Sequence, residues 1–284
     1  MSQFQSILEF RQGRYLKLAC FVCAAAIAAY WWYEPPALIP KAYGGTWLGY
    51  TLGTVAAVII LWLMLLGIRK RRYQSNMGTV QGWASAHVYL GTSLIVIATL
   101  HCAFEFGWNI HTFAYVLMLL VIFSGFYGLY AYFRYPGQMT ANLGGETLQT
   151  MLLKHADLDK NCRRIALNLP NEINELVLKT SEAAARRTKG VSFRLMLAGP
   201  NAPSPTRDTR DRLIKLGKTL SGADAKTNQQ LVTEMTRMSV LVDRIRLELR
   251  YRAVLQVWLY FHVPLSFGLL AALTAHVISV FYFW

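Results

Sequence analysis

Four histidines interrupt long apolar stretches of this 284-residue chain in two matched pairs, His87 with His101 and His262 with His276. Members of each pair stand fourteen residues apart. Fourteen steps of about 100° leave a residual of roughly 40°, so on a helix both face nearly the same way. At about 1.5 Å per residue they lie roughly 21 Å apart, most of a hydrocarbon core about 30 Å thick. Neutral imidazole is a good axial ligand for haem iron, and its second ring nitrogen normally donates to a carbonyl or hydroxyl that fixes the tautomer. Two such helices side by side present one His–His couple near each membrane face. The spacing predicts bis-His ligation of two stacked b-type haems, and with it transmembrane electron transfer.

Other chemistries compete for the same residues. An intramembrane histidine also serves as an interhelical hydrogen-bonding group or in a proton relay. Metal-ion transport favours carboxylates beside the histidines, and the apolar spans that hold these four contain none. A non-redox scaffold, or an anchor for a soluble oxidoreductase, is a third class.

The elements that must position the pairs are membrane helices. Hydrophobic residues make up 54% of the chain, and the mean hydropathy is +0.29, too apolar for an ordinary soluble domain. Leu18–Tyr33, Trp47–Ile68, Gly82–Phe104, Thr112–Phe133 and Leu255–Trp284 each read as a span. Trp31, Trp32, Trp47, Trp83, Trp108, Trp258 and Trp284 cluster at their ends, as interfacial belts do. The first segment has the basic flank of a signal peptide (Arg11, Arg14, Lys17) but no small-residue cleavage site, and Tyr30–Tyr33 reads as an interfacial anchor. The expectation is an all-α membrane protein: a five-helix transmembrane bundle with a helical cytoplasmic insert between helices four and five.

Basic residues orient the bundle. Arg11, Arg14 and Lys17 precede helix one, Arg69–Arg72 follow helix two and Arg134 follows helix four, while the opposite loops hold only Lys41. The positive-inside rule puts the N-terminus in the cytoplasm and the C-terminus in the periplasm of a bacterial inner membrane. Helices three and five then run in the same direction, which levels His87 with His262 and His101 with His276. A net charge of +14 is explained by loops facing anionic lipid, without nucleic acid. The four cysteines make no disulfide framework. Cys20 and Cys23 form a C-x-x-C without a following histidine, and a second pair for zinc or an iron–sulfur cluster is missing; all four read as small buried hydrophobes.

Three regions follow: transmembrane helices over 1–136, the insert over 137–253 and the last span over 254–284. In the insert, twenty Lys and Arg against twelve Asp and Glu leave +8. Gly145–His155, Pro170–Arg187, Arg207–Leu220 and Asn228–Arg252 read as helices, the last running on into helix five, and Gly199–Pro205 as a loop. No dinucleotide fingerprint or phosphate loop occurs. The insert is either a docking platform for a redox partner (an iron–sulfur, flavin or cytochrome subunit) or a cap that steadies helix five.

Several neighbours fit a porphyrin or, equally, close helix packing: Gly91, one turn from His87, and Gly268, Gly125 and Gly128. Gly49-x-x-x-Gly53 is a packing motif first. Pro264 either kinks helix five beside His262 or is a plain irregularity. Arg134 and Arg69–Arg72 are within reach of propionates on the inner haem, but orientation alone accounts for them. Glu105, placed one turn beyond His101, and His111, at the start of helix four, form either a quinol-linked proton site or a solvated interfacial pair. His155 reads as an ordinary histidine of the insert.

Taken together, His87-Val-Tyr-Leu-Gly91 through Leu100-His101, and Phe261-His262-Val-Pro264 through Ala275-His276, resemble the di-haem b cytochromes. The nearest resemblance is to the transmembrane domain of ferric reductases and NADPH oxidases, which pairs histidines about fourteen residues apart on its third and fifth helices. It covers helices two to five, roughly half the chain, and rests on spacing and topology more than on extended identity. It implies an inner haem on His87/His262 and an outer one on His101/His276. That family usually adds a sixth helix and a flavin- and NADPH-binding domain, whereas this chain stops at Trp284 and carries its large insert instead. The resemblance therefore implies a membrane subunit fed by separate redox partners, with quinone among the candidates. Membrane subunits of formate dehydrogenases and hydrogenases are similar in principle, but place their histidines differently.

Overall fold

The computed structural model describes residues 7–35, 43–72, 76–187 and 204–283. Among these, every regular element is a helix. A 3-10 turn at Ile7–Glu9 is followed by α1 (Arg14–Trp32), α2 (Trp47–Arg71), α3 (Val80–His101), α4 (Ile110–Leu143), α5 (Leu148–Ala166), α6 (Asn171–Arg187), α7 (Pro205–Leu216) and α8 (Gly222–Phe283). Five of them, α1 to α4 and α8, contain a stretch long and apolar enough to cross a membrane. Phe21, Val58, Phe123, Phe261, Phe267 and Ile278 all point outward from these helices. Apolar exposure of this density suits lipid as the solvent, where a helix satisfies its backbone internally.

Helix ends follow local chemistry. Thr46, Thr79 and Thr147 stand at the N-caps of α2, α3 and α5. Each hydroxyl accepts the backbone N–H three residues on, at 3.2, 3.1 and 3.1 Å, satisfying one orphan donor. Arg69 is buried at the end of α2, and its guanidinium donates to the carbonyls of Arg72 and Gly78 at 2.9 and 2.6 Å. It closes the turn into α3, so these donors serve the backbone and not a propionate. α3 stops at His101, three residues before the expected end, because Ala103 and Phe104 turn left-handed with φ of 48° and 61°. That turn carries Glu105 off the helical face on which the sequence periodicity sets it.

By contacts the chain divides into two compact units, Met1–Tyr127 with Tyr260–Trp284, and Gly128–Leu259. In the first, α3 packs against both α1 and α2. Its core draws on every span: Ala26 of α1, Leu52, Ala56 and Ile60 of α2, Leu94, Ile97 and Ala98 of α3, Met118 and Ile122 of α4 and Leu269 of α8. The alanines let helix backbones approach, which in lipid matters more than burying oil from water.

The second unit has a core of Cys162, Ala166, Ile173, Val177, Leu213, Leu231, Met235 and Met238, with Met151, Leu241 and Ile245 forming a smaller cluster. Arg244 donates to the carbonyls of Asn142 and Leu143 at 2.8 and 3.0 Å, while Asn142 Nδ2 returns a bond to the Arg244 carbonyl at 2.9 Å. Asp159 accepts from Arg163 Nε and Ser181, both at 2.9 Å, tying α5 to α6.

Several expectations shift here. α4 runs through Pro136 to Leu143 instead of stopping at Phe133, since one proline removes only one hydrogen bond from a long helix. α5 starts after Gly144 and Gly145, whose φ of 57° and 83° make the turn, and ends eleven residues past His155. Pro205 opens α7 at its first position, where its missing N–H costs nothing; residues 199–203 of the expected loop, like Lys41 and Trp284, lie outside the described residues. α8 passes through Pro264 without ending. Trp83 stacks on Trp62 at 4.6 Å, and Gly128 leaves room for the Trp258 indole, so these two tryptophans are packed rather than belted. Of the cysteines only Cys162 is buried, and Cys20 is exposed.

Candidate functional site

α3 carries His87 and His101, and α8 carries His262 and His276. The structure sets His87 against His262 and His101 against His276, with ring centroids 6.4 and 6.0 Å apart. Because both pairs match in the same order, α3 and the last part of α8 advance in the same direction. All four rings are half-buried.

The separations are informative. Two imidazoles joined by one in-line hydrogen bond lie at most about 5.1 Å apart, for an N···N distance of about 2.8–2.9 Å and about 1.1 Å from each nitrogen to its ring centre. Two imidazoles on opposite sides of one metal lie about 6.3 Å apart, for metal–nitrogen bonds of about 2.0–2.1 Å. Both couples match the second figure and exceed the first. Their ring planes are twisted by 61° and 78°, which rotation about a shared ligand axis permits.

The other ring nitrogen of each histidine is already used. His87 Nδ1 meets the Leu63 carbonyl at 3.1 Å, and His101 Nδ1 meets the Gly49 carbonyl at 2.7 Å. A carbonyl only accepts, so both rings carry their proton on Nδ1 and keep a lone pair on Nε2. His262 Nδ1 lies 2.8 Å from Ser124 Oγ, whose own proton goes to the Val121 carbonyl at 2.7 Å. The hydroxyl therefore accepts from His262, which has the same tautomer. His276 Nδ1 lies 2.5 Å from His111 Nδ1. The tethers follow a rule: α2 holds both histidines of α3, and α4 holds both histidines of α8.

Glycine makes room for one of these rings. A Cβ at Gly53 would lie 2.7 Å from His101 Cε1, so the imidazole occupies the space a side chain would take. Gly49 supplies the carbonyl tether four residues earlier. This glycine pair is the seat of His101 as well as a packing motif. The other glycines matter less: a Cβ at Gly125 would meet His262 Cε1 at an ordinary 3.6 Å, one at Gly91 would meet the Leu63 side chain at 3.7 Å, and one at Gly268 would meet no neighbouring element within 4 Å among the described residues.

Three donors or more are what a bare transition-metal ion ordinarily needs from a protein. Among the described residues no group of three or more His, Cys, Asp or Glu is arranged to hold one. A porphyrin brings four nitrogens and asks only two of the chain, so the paired donor set fits haem. His111 is turned onto His276, and Glu105 is exposed in the turn after α3. Nearby, Thr99 and the Tyr115 hydroxyl share a 2.8 Å hydrogen bond. His155 lies half-buried in α5, where burial lowers its pKa against the opposing pull of Asp159.

Leu63 and Ser124 go unmarked in the sequence, and Gly49 and Gly53 read there first as a packing motif. Two of these act through carbonyls, which no side chain announces. Ser124, a hydroxyl inside an apolar run, was a usable signal. Comparison with family models, curated proteins and solved structures finds no match.

Proposed function

We propose that the chain is a di-haem cytochrome b subunit that carries electrons across a membrane, with His87 and His262 ligating one b-type haem and His101 and His276 the other. The observation that carries this reading is the pair of centroid separations, 6.4 and 6.0 Å, between rings each tethered through Nδ1. Bound haem supplies reversible one-electron chemistry at its iron. The chain's own part is orientation. Leu63, Gly49 and Ser124 hold three imidazoles in the ligating tautomer, and such tethers also raise ligand basicity.

The basic residues Arg11, Arg14, Lys17, Arg71, Arg72 and Arg134 argue for a cytoplasmic N-terminus and a periplasmic C-terminus in a bacterial inner membrane. His87 and His262 are then the inner couple. On this reading 137–253 is a helical cytoplasmic insert, and its exposed charge suits docking of an iron–sulfur, flavin or cytochrome subunit. Quinone is a proposed partner at the outer end, with Glu105 as the carboxylate that takes a proton from quinol.

The test is direct. The purified protein is expected to contain about two b haems per chain by pyridine haemochrome, two couples being available for bis-His ligation, and to give a dithionite-reduced minus oxidised b-type spectrum. A folded preparation without haem would overturn the proposal in favour of a scaffold or metal-ion transporter. Unchanged quinol turnover in Glu105→Gln would remove quinol chemistry at that carboxylate while leaving the haems in place.

A further inference from the structure

Three of the four ring tethers end on oxygen, and the fourth ends on another imidazole. His111 Nδ1 and His276 Nδ1 are 2.5 Å apart, with ring centroids at 4.4 Å and planes at 85°. One of the two nitrogens donates and the other accepts. A neutral ring that offers Nε2 to iron carries its proton on Nδ1, so His276 is the donor and His111 the acceptor. The proton of His111 then sits on its own Nε2.

The start of α4 is built to hold His111 there. Asn109 Oδ1 accepts the Thr112 N–H at 2.9 Å, and Thr112 Oγ1 accepts the Gly107 N–H at 3.1 Å. These bonds fix the first turn on both sides of residue 111. The site is therefore positioned by backbone capping and not by a long, mobile side chain.

Resting on the di-haem reading, we propose that His111 is the positioning residue of the outer haem. It accepts the Nδ1 proton of His276, holds that ring's tautomer and rotation, and makes His276 more electron-donating than a ligand tethered to oxygen. An imidazole nitrogen is a stronger acceptor than a carbonyl or hydroxyl oxygen. A more basic ligand favours ferric iron, so the tether lowers the midpoint potential of that haem.

The test uses the full-length protein loaded with haem, followed by redox titration and electron paramagnetic resonance. His111→Leu removes the acceptor and is expected to raise the midpoint of one haem and change its ferric signal, leaving the other haem at wild-type values. His111→Asn puts an amide oxygen near the same place and is expected to move both properties back toward wild type. Wild-type midpoints and signals in His111→Leu would overturn the inference. Should His111→Leu lose a haem altogether, His111→Asn decides: two haems retained supports the acceptor role, and loss there too overturns it. Failure of the di-haem reading itself is distinguishable, because the wild-type protein would then contain no haem.

Discussion

Gly53→Ala tests the site with a single carbon atom. Its Cβ would lie 2.7 Å from His101 Cε1, 2.9 Å from Nδ1 and 3.2 Å from Nε2. Comfortable contact between carbon atoms is about 3.5–4.0 Å, so the imidazole must retreat by roughly 1 Å. The ring is held to the Gly49 carbonyl at 2.7 Å, and a retreat of that size takes the bond beyond hydrogen-bonding distance. Overpacking of this kind costs about 1–3 kcal/mol, and a lost hydrogen bond that leaves a buried group unsatisfied adds about 1–3 kcal/mol. Metal–ligand distances tolerate only about 0.2 Å, so the His101/His276 couple loses its ligating separation. Haem content is expected to fall from two per chain to one by pyridine haemochrome, the survivor keeping its midpoint potential. Gly67→Ala, where a Cβ meets nothing within 4 Å, and Gly125→Ala, where it meets His262 Cε1 at 3.6 Å, are expected to keep both. Two haems at wild-type potentials in Gly53→Ala would refute the seat assigned to His101.

Other perturbations separate the parts of the molecule. Alanine at His87 or His262 is expected to remove one haem, and alanine at His101 or His276 the other, as two distinguishable reduced spectra; four identical spectra would refute the pairing. Met235→Ala empties a fully buried position in the second core and should cost about 2–5 kcal/mol in denaturant unfolding of the detergent-solubilised protein; a loss below 1 kcal/mol would be inconsistent with that burial. Burial depresses the pKa of folded His155, so the unfolded chain takes the extra proton first and this contribution, complete above about pH 6.5, is lost on acidification. The melting temperature should therefore fall less steeply toward pH 5 in His155→Gln than in wild type, and equal slopes would count against it. Burial pushes the Cys162 thiol up to about 12, so it should resist maleimide until the protein is denatured; rapid labelling in the folded state would contradict its place in the core.

Much of this architecture could be read from the chain. Apolar runs and their flanks mark five spans, and equal fourteen-residue intervals on two spans that the basic flanks set parallel level His87 with His262 and His101 with His276. Side-chain periodicity stops being informative where the backbone acts. The carbonyls of Leu63 and Gly49 carry no sequence signature, and Gly53 looked like a packing glycine because a missing side chain does not say what fills its place. Glu105 was set on the wrong face because the left-handed turn at Ala103 and Phe104 uses residues that rarely adopt it. His111 was paired with that carboxylate by proximity along the chain, whereas its partner His276 lies 165 residues away. The apolar run marks α4 only as far as Phe133, whereas the helix continues through polar residues and Pro136 to Leu143, because apolarity reports the lipid-facing length of a helix and not its end.

The tether rule, α2 for the histidines of α3 and α4 for those of α8, has a consequence for biogenesis. Each half of a binding couple, with the group that steadies it, comes from its own pair of helices. His87 and His101 acquire their carbonyl partners once α2 and α3 are threaded into the membrane. Their opposite numbers are still unmade, since about 160 residues separate His101 from His262, some 8–32 s of synthesis at about 5–20 residues per second. For that interval the nascent chain displays two oriented imidazoles with nothing opposite them. On the di-haem reading, cofactor capture is completed only when His262 and His276 of α8 arrive, so haem supply and the emergence of that helix are timed to the same event.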